Sequence, residues 1–244
     1  MTAEDAAAFS NWLTFDRHRR EIIHKIDAAL RKMKQGQIST IRLVGLTELR
    51  DLIQSLRGEQ KAVFRALQEE TYKSLTTDVF EHCIETGPQW TKWSPVTIEE
   101  RLRGLETIQG LFTIDHDNVI TLTKINTPAK KGLIQTLLKY VDEQSLSLVT
   151  LEILEAVLMG DTDTQKTFTE MKGVDRVVDL LVTLNLTKEE RTRMVTFLVV
   201  CVRSFKPPYR EICRQELEGN VGKAHNYLLL DPPKKEEFLS SIHE

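Results

Sequence analysis

The stretch His82-Cys83-Ile84-Glu85-Thr86-Gly87-Pro88-Gln89 comes nearest to a reactive site. A cysteine after a histidine, with an arginine closing the loop, would cradle a phosphate dianion beside a thiolate nucleophile. Gln89 stands where that arginine is needed, so the loop lacks a bidentate partner for the dianion and one charge to hold the thiolate. Cys83 also falls on a predicted helix, whereas this chemistry needs a strand running into a loop. Asp115-His116-Asp117 sets two carboxylates about an imidazole, a pattern a metal could use. The matching loop Asp161-Thr162-Asp163 has no histidine, and helix caps account for both loops. His18, His24, His225 and His243 show no ligand spacing, and no Gly-rich phosphate loop, Gly-x-Ser-x-Gly elbow or kinase motif set occurs. The chain reads as non-catalytic, with no catalytic residue, metal ligand or cofactor expected.

The elements that carry these loops are helices. Leu148, Leu151, Leu154, Val157 and Leu158 recur at steps of three and four, as do Val174, Val177, Val178 and Leu181. Between the two runs, Gly160-Asp161 supplies a stop and a cap, and Phe168 is the anchor of a short middle helix. Asn185-Leu186-Thr187 reads as a helix end and a Thr cap, with Glu190 completing a capping box. Upstream, a basic helix spans 16–34 (Arg17, Arg19, Arg20, Lys25, Arg31, Lys32, Lys34), after an Ala-rich start whose Phe9, Trp12, Leu13 and Phe15 either dock as a leading helix or fray. A long helix ends near Gly58, shorter ones follow to Gly87-Pro88, and Ser94-Pro95 is the expected cap of the next long helix.

Residues 105–123 (LETIQGLFTIDHDNVITLT) align with 151–169 (LEILEAVLMGDTDTQKTFT), about 46 residues later, with Leu105, Glu106, Asp115, Asp117 and Thr123 recurring as identical residues. A weaker copy begins at Leu49. The period predicts an all-α, armadillo/HEAT-like right-handed superhelical solenoid of about three to four helical repeats. Residues 1–36 then form an N-terminal helical cap, 37–206 an armadillo-like repeat domain, and 207–244 a C-terminal helix and tail.

The 244 residues, 41% apolar with a net charge of -3, suit a folded chain and give no overall pull toward polyanions. Three widely spaced cysteines indicate a reducing compartment rather than a disulfide framework. The acidic start and the lack of a long apolar run point to a soluble, intracellular chain.

Residues 137–202, preceded by ERLRGLETIQGLFTIDHDNV, resemble the armadillo-like cell division control protein fourteen family of the septation initiation network, a scaffold family distinct from the phosphatase of the same name. The resemblance covers roughly residues 40–205 and is strongest from Thr164-Gln165-Lys166-Thr167-Phe168 through Gly173 and Leu181. It implies a non-catalytic partner of a germinal-centre-type (sterile-twenty-like) protein kinase, in a heterodimer or higher complex at the spindle pole body, acting upstream of septum formation and cytokinesis. Trp90, Trp93, Arg191, Arg193, Tyr209 and Phe238 are the candidate partner-binding residues. Neither nucleic acid nor a membrane is expected as a partner. The competing reading is a helical-repeat adaptor that holds acidic peptides or nucleic acid on the basic N-terminal helix.

Overall fold

A computed structural model describes residues 3–35, 38–83, 94–124, 127–183 and 186–225. The described residues form twelve α-helices and no strand, so the all-α expectation holds. None of these helices is long and apolar enough to cross a membrane. The chain divides into two compact units, residues 1–118 and 119–244.

In the first unit, α1 (Ala3–Gln35) packs on α2 (Ser39–Ser55) and α3 (Glu59–Glu70), while α2 and α4 (Leu75–Cys83) pack on α5 (Ile98–Ile114). Its core draws Ile22, Ile26 and Met33 from α1, Leu46, Leu49 and Ile53 from α2, Phe64 and Leu67 from α3, and Leu105, Ile108 and Leu111 from α5. Gly45 lets α1 and α2 approach closely, because a Cβ there would stand 2.7 Å from the Ala29 carbonyl oxygen. The Ala-rich start does not form a separate docked helix. It is the first part of the continuous α1, and Trp12, Leu13 and Phe15 remain exposed because the first buried side chain of α1 among the described residues is Ile22.

Ser94-Pro95 is not the cap of α5. Thr97 is the N-cap, its hydroxyl accepting from the Glu100 N–H at 3.2 Å while the Thr97 N–H donates back to Glu100 Oε2 at 2.9 Å. Ser94 is occupied elsewhere: its hydroxyl accepts from the Ser39 N–H and its carbonyl from Arg42 Nη2. Local Pro chemistry is overridden here by contacts with α2.

In the second unit, α8 (Ser147–Gly160) packs against α7 (Thr127–Val141), α9 (Thr162–Glu170) and α11 (Lys188–Ser204), and α10 (Gly173–Thr183) packs against α12 (Tyr209–His225). Phe168 of α9 is the buried anchor expected of the short helix, edge-on to Phe197 at 5.9 Å and to Phe205 at 6.0 Å. The predicted Thr187–Glu190 capping box is present at the start of α11. The helix α6 (Asp117–Thr123) begins in the first unit and ends in the second.

The 46-residue match is also a match of hydrogen bonds. At the first corner Asp115 Oδ1 accepts from the Asp117 N–H, and Asn118 Nδ2 donates to the Leu111 and Asp115 carbonyls, both at 3.0 Å. At the second corner Asp161 Oδ1 accepts from the Asp163 N–H, and the single proton of the Thr164 hydroxyl is shared between the Val157 carbonyl at 3.1 Å and the Asp161 carbonyl at 2.6 Å. Asn118 and Thr164 occupy equivalent positions, as do Leu111 and Val157. Different side chains thus close the same corner, each adding a bond to a carbonyl in the last turn of the long helix and to that of the capping aspartate.

Candidate functional site

The residues that first suggested chemistry have structural work. His82 lies near the end of α4, where its Nε2 meets the Met33 carbonyl at 2.5 Å. Burial, ahead of the smaller effects of Arg42 and Lys34, lowers its pKa against the raising effect of that carbonyl and of Asp78. Cys83 is the last residue of the helix α4, and Gln89 lies outside the described residues. Asp115 and Asp117 form the corner already described. Cys201 and Cys213 are buried thiols: burial pushes Cys201 well above its ordinary range and Cys213 up to about 12, so neither is a ready thiolate.

The exposed sides of the long helices carry a recurring ion pair. In the first unit Glu106 of α5 accepts from Arg50 of α2 at 2.9 Å and from Arg103 at 2.8 Å. Burial raises the Glu106 carboxyl, but the two arginine hydrogen bonds outweigh it and hold the group below its ordinary value. Its equivalent in the second unit is Glu152 of α8, which with Glu155 faces Arg193 of α11. Arg193 Nη2 is 2.9 Å from Glu155 Oε2, and Arg193 Nε is 3.9 Å from Glu152 Oε1. The arginine side chain is 26% exposed, so it lies across the seam between α8 and α11 rather than reaching outward.

A groove of about 510 Å³ runs along that seam, lined by Leu148 and Glu152 from α8 and by Lys188, Glu189, Thr192, Arg193 and Thr196 from α11. The steps 189, 192, 193 and 196 place the α11 members on one face of the helix. The walls supply an apolar contact at Leu148, hydroxyls at Thr192 and Thr196, and charges of both signs. Such a lining suits a helix or extended segment with its own polar side chains.

Neither the scan of family models nor the search of curated proteins yields a match to this chain.

Of the candidates read from the sequence, Arg193 is in the groove and Arg191 is not. Two residues apart on α11, they point to different sides, and Arg191 Nε donates to the Leu186 carbonyl at 3.3 Å. Tyr209 is half-buried as the first residue of α12, away from the groove lining. Trp90, Trp93 and Phe238 lie outside the described residues. The groove members not among the candidate residues are Leu148, Glu152, Lys188, Glu189, Thr192 and Thr196. Glu152 had a usable signal, its identity with Glu106 in the repeat alignment, while the threonines had none.

The basic residues of α1 are largely engaged. Arg19 pairs with Glu70, Arg20 with Asp16, Lys25 with Glu21, Lys32 with Glu48 and Lys34 with Asp78. Most of the positive run is thereby matched within the chain.

Proposed function

We propose that the chain is a non-catalytic scaffold and regulatory subunit that binds and activates a germinal-centre-type protein kinase of the septation initiation network, and so controls septum formation and cytokinesis. In this reading the helices form an armadillo/HEAT-like right-handed solenoid with α1 as its cap and α12 leading into a tail. The kinase is its partner in a heterodimer or higher complex, recruited from the cytoplasm to the spindle pole body. The network, the kinase class and the location come from the resemblance over residues 40–205.

The observation that carries the reading is the repeated construction of the long-helix face. Equivalent corners and equivalent glutamates recur about 46 residues apart, and on the second copy the seam opens into the α8–α11 groove. A helix pair with a polar-walled groove suits a segment of another protein. The internal pairing of the α1 cations favours this reading over an adaptor for acidic peptides or nucleic acid, which needs cations free to meet phosphates.

Co-expression with the non-catalytic region of a germinal-centre-type kinase, followed by size exclusion with mass detection, tests it. One peak with the mass of a stoichiometric complex is expected. Two separate peaks, with the chain helical and folded, would remove the kinase from the reading.

A further inference from the structure

The cations that α1 largely matches within the chain are left unmatched where α11 gives way to α12. Among the described residues Lys206 and Arg214 make no ion pair, and Arg210 has only Glu211 of its own helix, with its Nε 3.7 Å from the carboxylate and beyond hydrogen-bond reach. The backbone sets these residues in register. The Arg210 N–H donates to the Lys206 carbonyl at 3.2 Å, so Lys206 stands one turn ahead of Arg210, and Arg210 one turn ahead of Arg214. Residues four apart share a helical face, so the two arginines leave α12 on the same side. The turn is also held from below, since the Lys206 N–H donates at 3.0 Å to Oε1 of Gln165, a buried residue of α9. Arg210 and Arg214 are both half-buried, and the Nε of each is shut off from water without a hydrogen-bond acceptor. A donor that has lost water and gained no acceptor is costly, and an anion at this place would satisfy two of them at once.

We infer that Lys206, Arg210 and Arg214 form a binding site for a phosphorylated segment of a partner protein, with the phosphate held between the two guanidinium groups. A carboxylate fills one guanidinium fork, whereas a phosphate dianion has oxygens enough for two forks and an ammonium group. The alternative of a nucleic acid strand fits poorly. The ridge from Lys206 to Arg214 is only about 12 Å long, and Glu211, Glu216 and Glu218 of the same helix would repel the phosphates of a continuing strand. The three cations lie outside the α8–α11 groove lining, so the inference goes beyond the scaffold reading and does not depend on it.

Fluorescence anisotropy tests the site with a labelled Gly/Ser-rich peptide that carries one phosphoserine beside a pair of glutamates. Its unphosphorylated twin, a single-stranded oligonucleotide and phosphatidylcholine/phosphatidylserine vesicles are the comparisons. The phosphopeptide is expected to bind at least about tenfold more tightly than its twin. Arg210→Gln with Arg214→Gln should weaken it by about tenfold or more at unchanged helix content. Lys206→Gln, at an exposed residue outside the helices, should weaken it by about threefold, and it decides the matter if the double variant loses helix content. Lys61→Gln with Lys73→Gln removes as much charge from the first unit and should leave binding as it was. Equal affinity for the two peptides, a loss that the Lys61 and Lys73 variant reproduces, or tighter binding of the oligonucleotide or the vesicles would overturn the inference. The kinase non-catalytic region is titrated separately into the unmodified chain. Phosphopeptide binding without a kinase complex leaves this site standing and removes the scaffold reading, and a kinase complex without phosphopeptide selectivity does the reverse.

Discussion

Arg42 and Glu100 meet 2.7 Å apart inside the first unit, their side chains 1% and 2% exposed. The carboxylate also accepts from the Ser39 hydroxyl at 2.6 Å and the Thr97 N–H at 2.9 Å, and Arg42 Nη2 donates to the Ser94 carbonyl at 2.8 Å. The pair fastens α2 to the N-terminus of α5 and to the turn that precedes it. Removing one partner strands a buried charge, so Arg42→Ala or Glu100→Ala alone should cost about 3–5 kcal/mol. Arg42→Met with Glu100→Leu should cost clearly less than the two single losses added together. Urea unfolding of the three variants measures this, and additive losses would show that the pair does not act as a unit.

Gly173 lies against the Phe168 ring, where an added Cβ would stand 2.1 Å from the nearest ring carbon. The ring cannot swing away, since Phe197 and Phe205 flank it edge-on. Gly173→Ala should therefore destabilise the second unit by about 1–3 kcal/mol, and Phe168→Ala by about 3–5 kcal/mol. With the ring gone the Gly173 change should become nearly neutral, a coupling that thermal unfolding of the double variant reads directly.

Glu216 on α12 is pushed up to about 7, first by burial and then by the neighbouring Asp175, with Lys172 acting the other way. Asp175 itself accepts from Asn220 Nδ2 of the same helix. A folded pKa above the ordinary 4.5 means that stability present at low pH is lost as pH rises toward 7. Glu216→Gln should raise the urea midpoint above pH 7 and leave it unchanged near pH 4. Amide exchange along α12 at the two pH values shows whether the effect is local.

His82 acts in the opposite direction. Burial lowers its pKa from the ordinary 6.5, so the folded form favours the neutral ring and stability falls as pH drops below about 6.5. His82→Gln should flatten that slope. An unchanged slope between pH 7 and 5 would mean that other groups set the acid limit.

For the α8–α11 groove, Arg193→Glu alone is ambiguous because it breaks the pair with Glu155. Combined with Glu155→Arg it restores opposite charges across the seam, and stability should return to within about 1 kcal/mol. Binding of the kinase region should remain weakened by about tenfold in the double variant if the groove holds that partner. Full recovery would move the interface elsewhere.

Much of the fold is legible along the chain because its determinants are short-range. The caps at Asp161 and Thr187 and the anchor Phe168 each depend on residues within a few positions, and all are present. Ser94-Pro95 failed where distance mattered: Ser39 and Arg42, more than fifty residues away, claim Ser94, while the Thr97-x-x-Glu100 box, spelled like Thr187-x-x-Glu190, carries the cap. The groove was less legible for the same reason. Arg193 stood out by charge, but Thr192, Thr196 and Leu148 become a lining only once α8 and α11 are side by side. Nothing in their own neighbourhoods marks them.

The two corners at Asp115 and Asp161 close with side-chain bonds that span no more than seven residues. Each corner travels with its own segment of chain. A length of about 46 residues could be duplicated during evolution with these carbonyl bonds intact, since neither corner borrows a donor from its counterpart, although Asn118 also bonds Gln68 and Thr76 of the preceding helices. The replacement of Asn118 by Thr164 at equivalent positions is the trace such a history would leave: the carbonyls to be satisfied are held fixed, and the residue that satisfies them drifts.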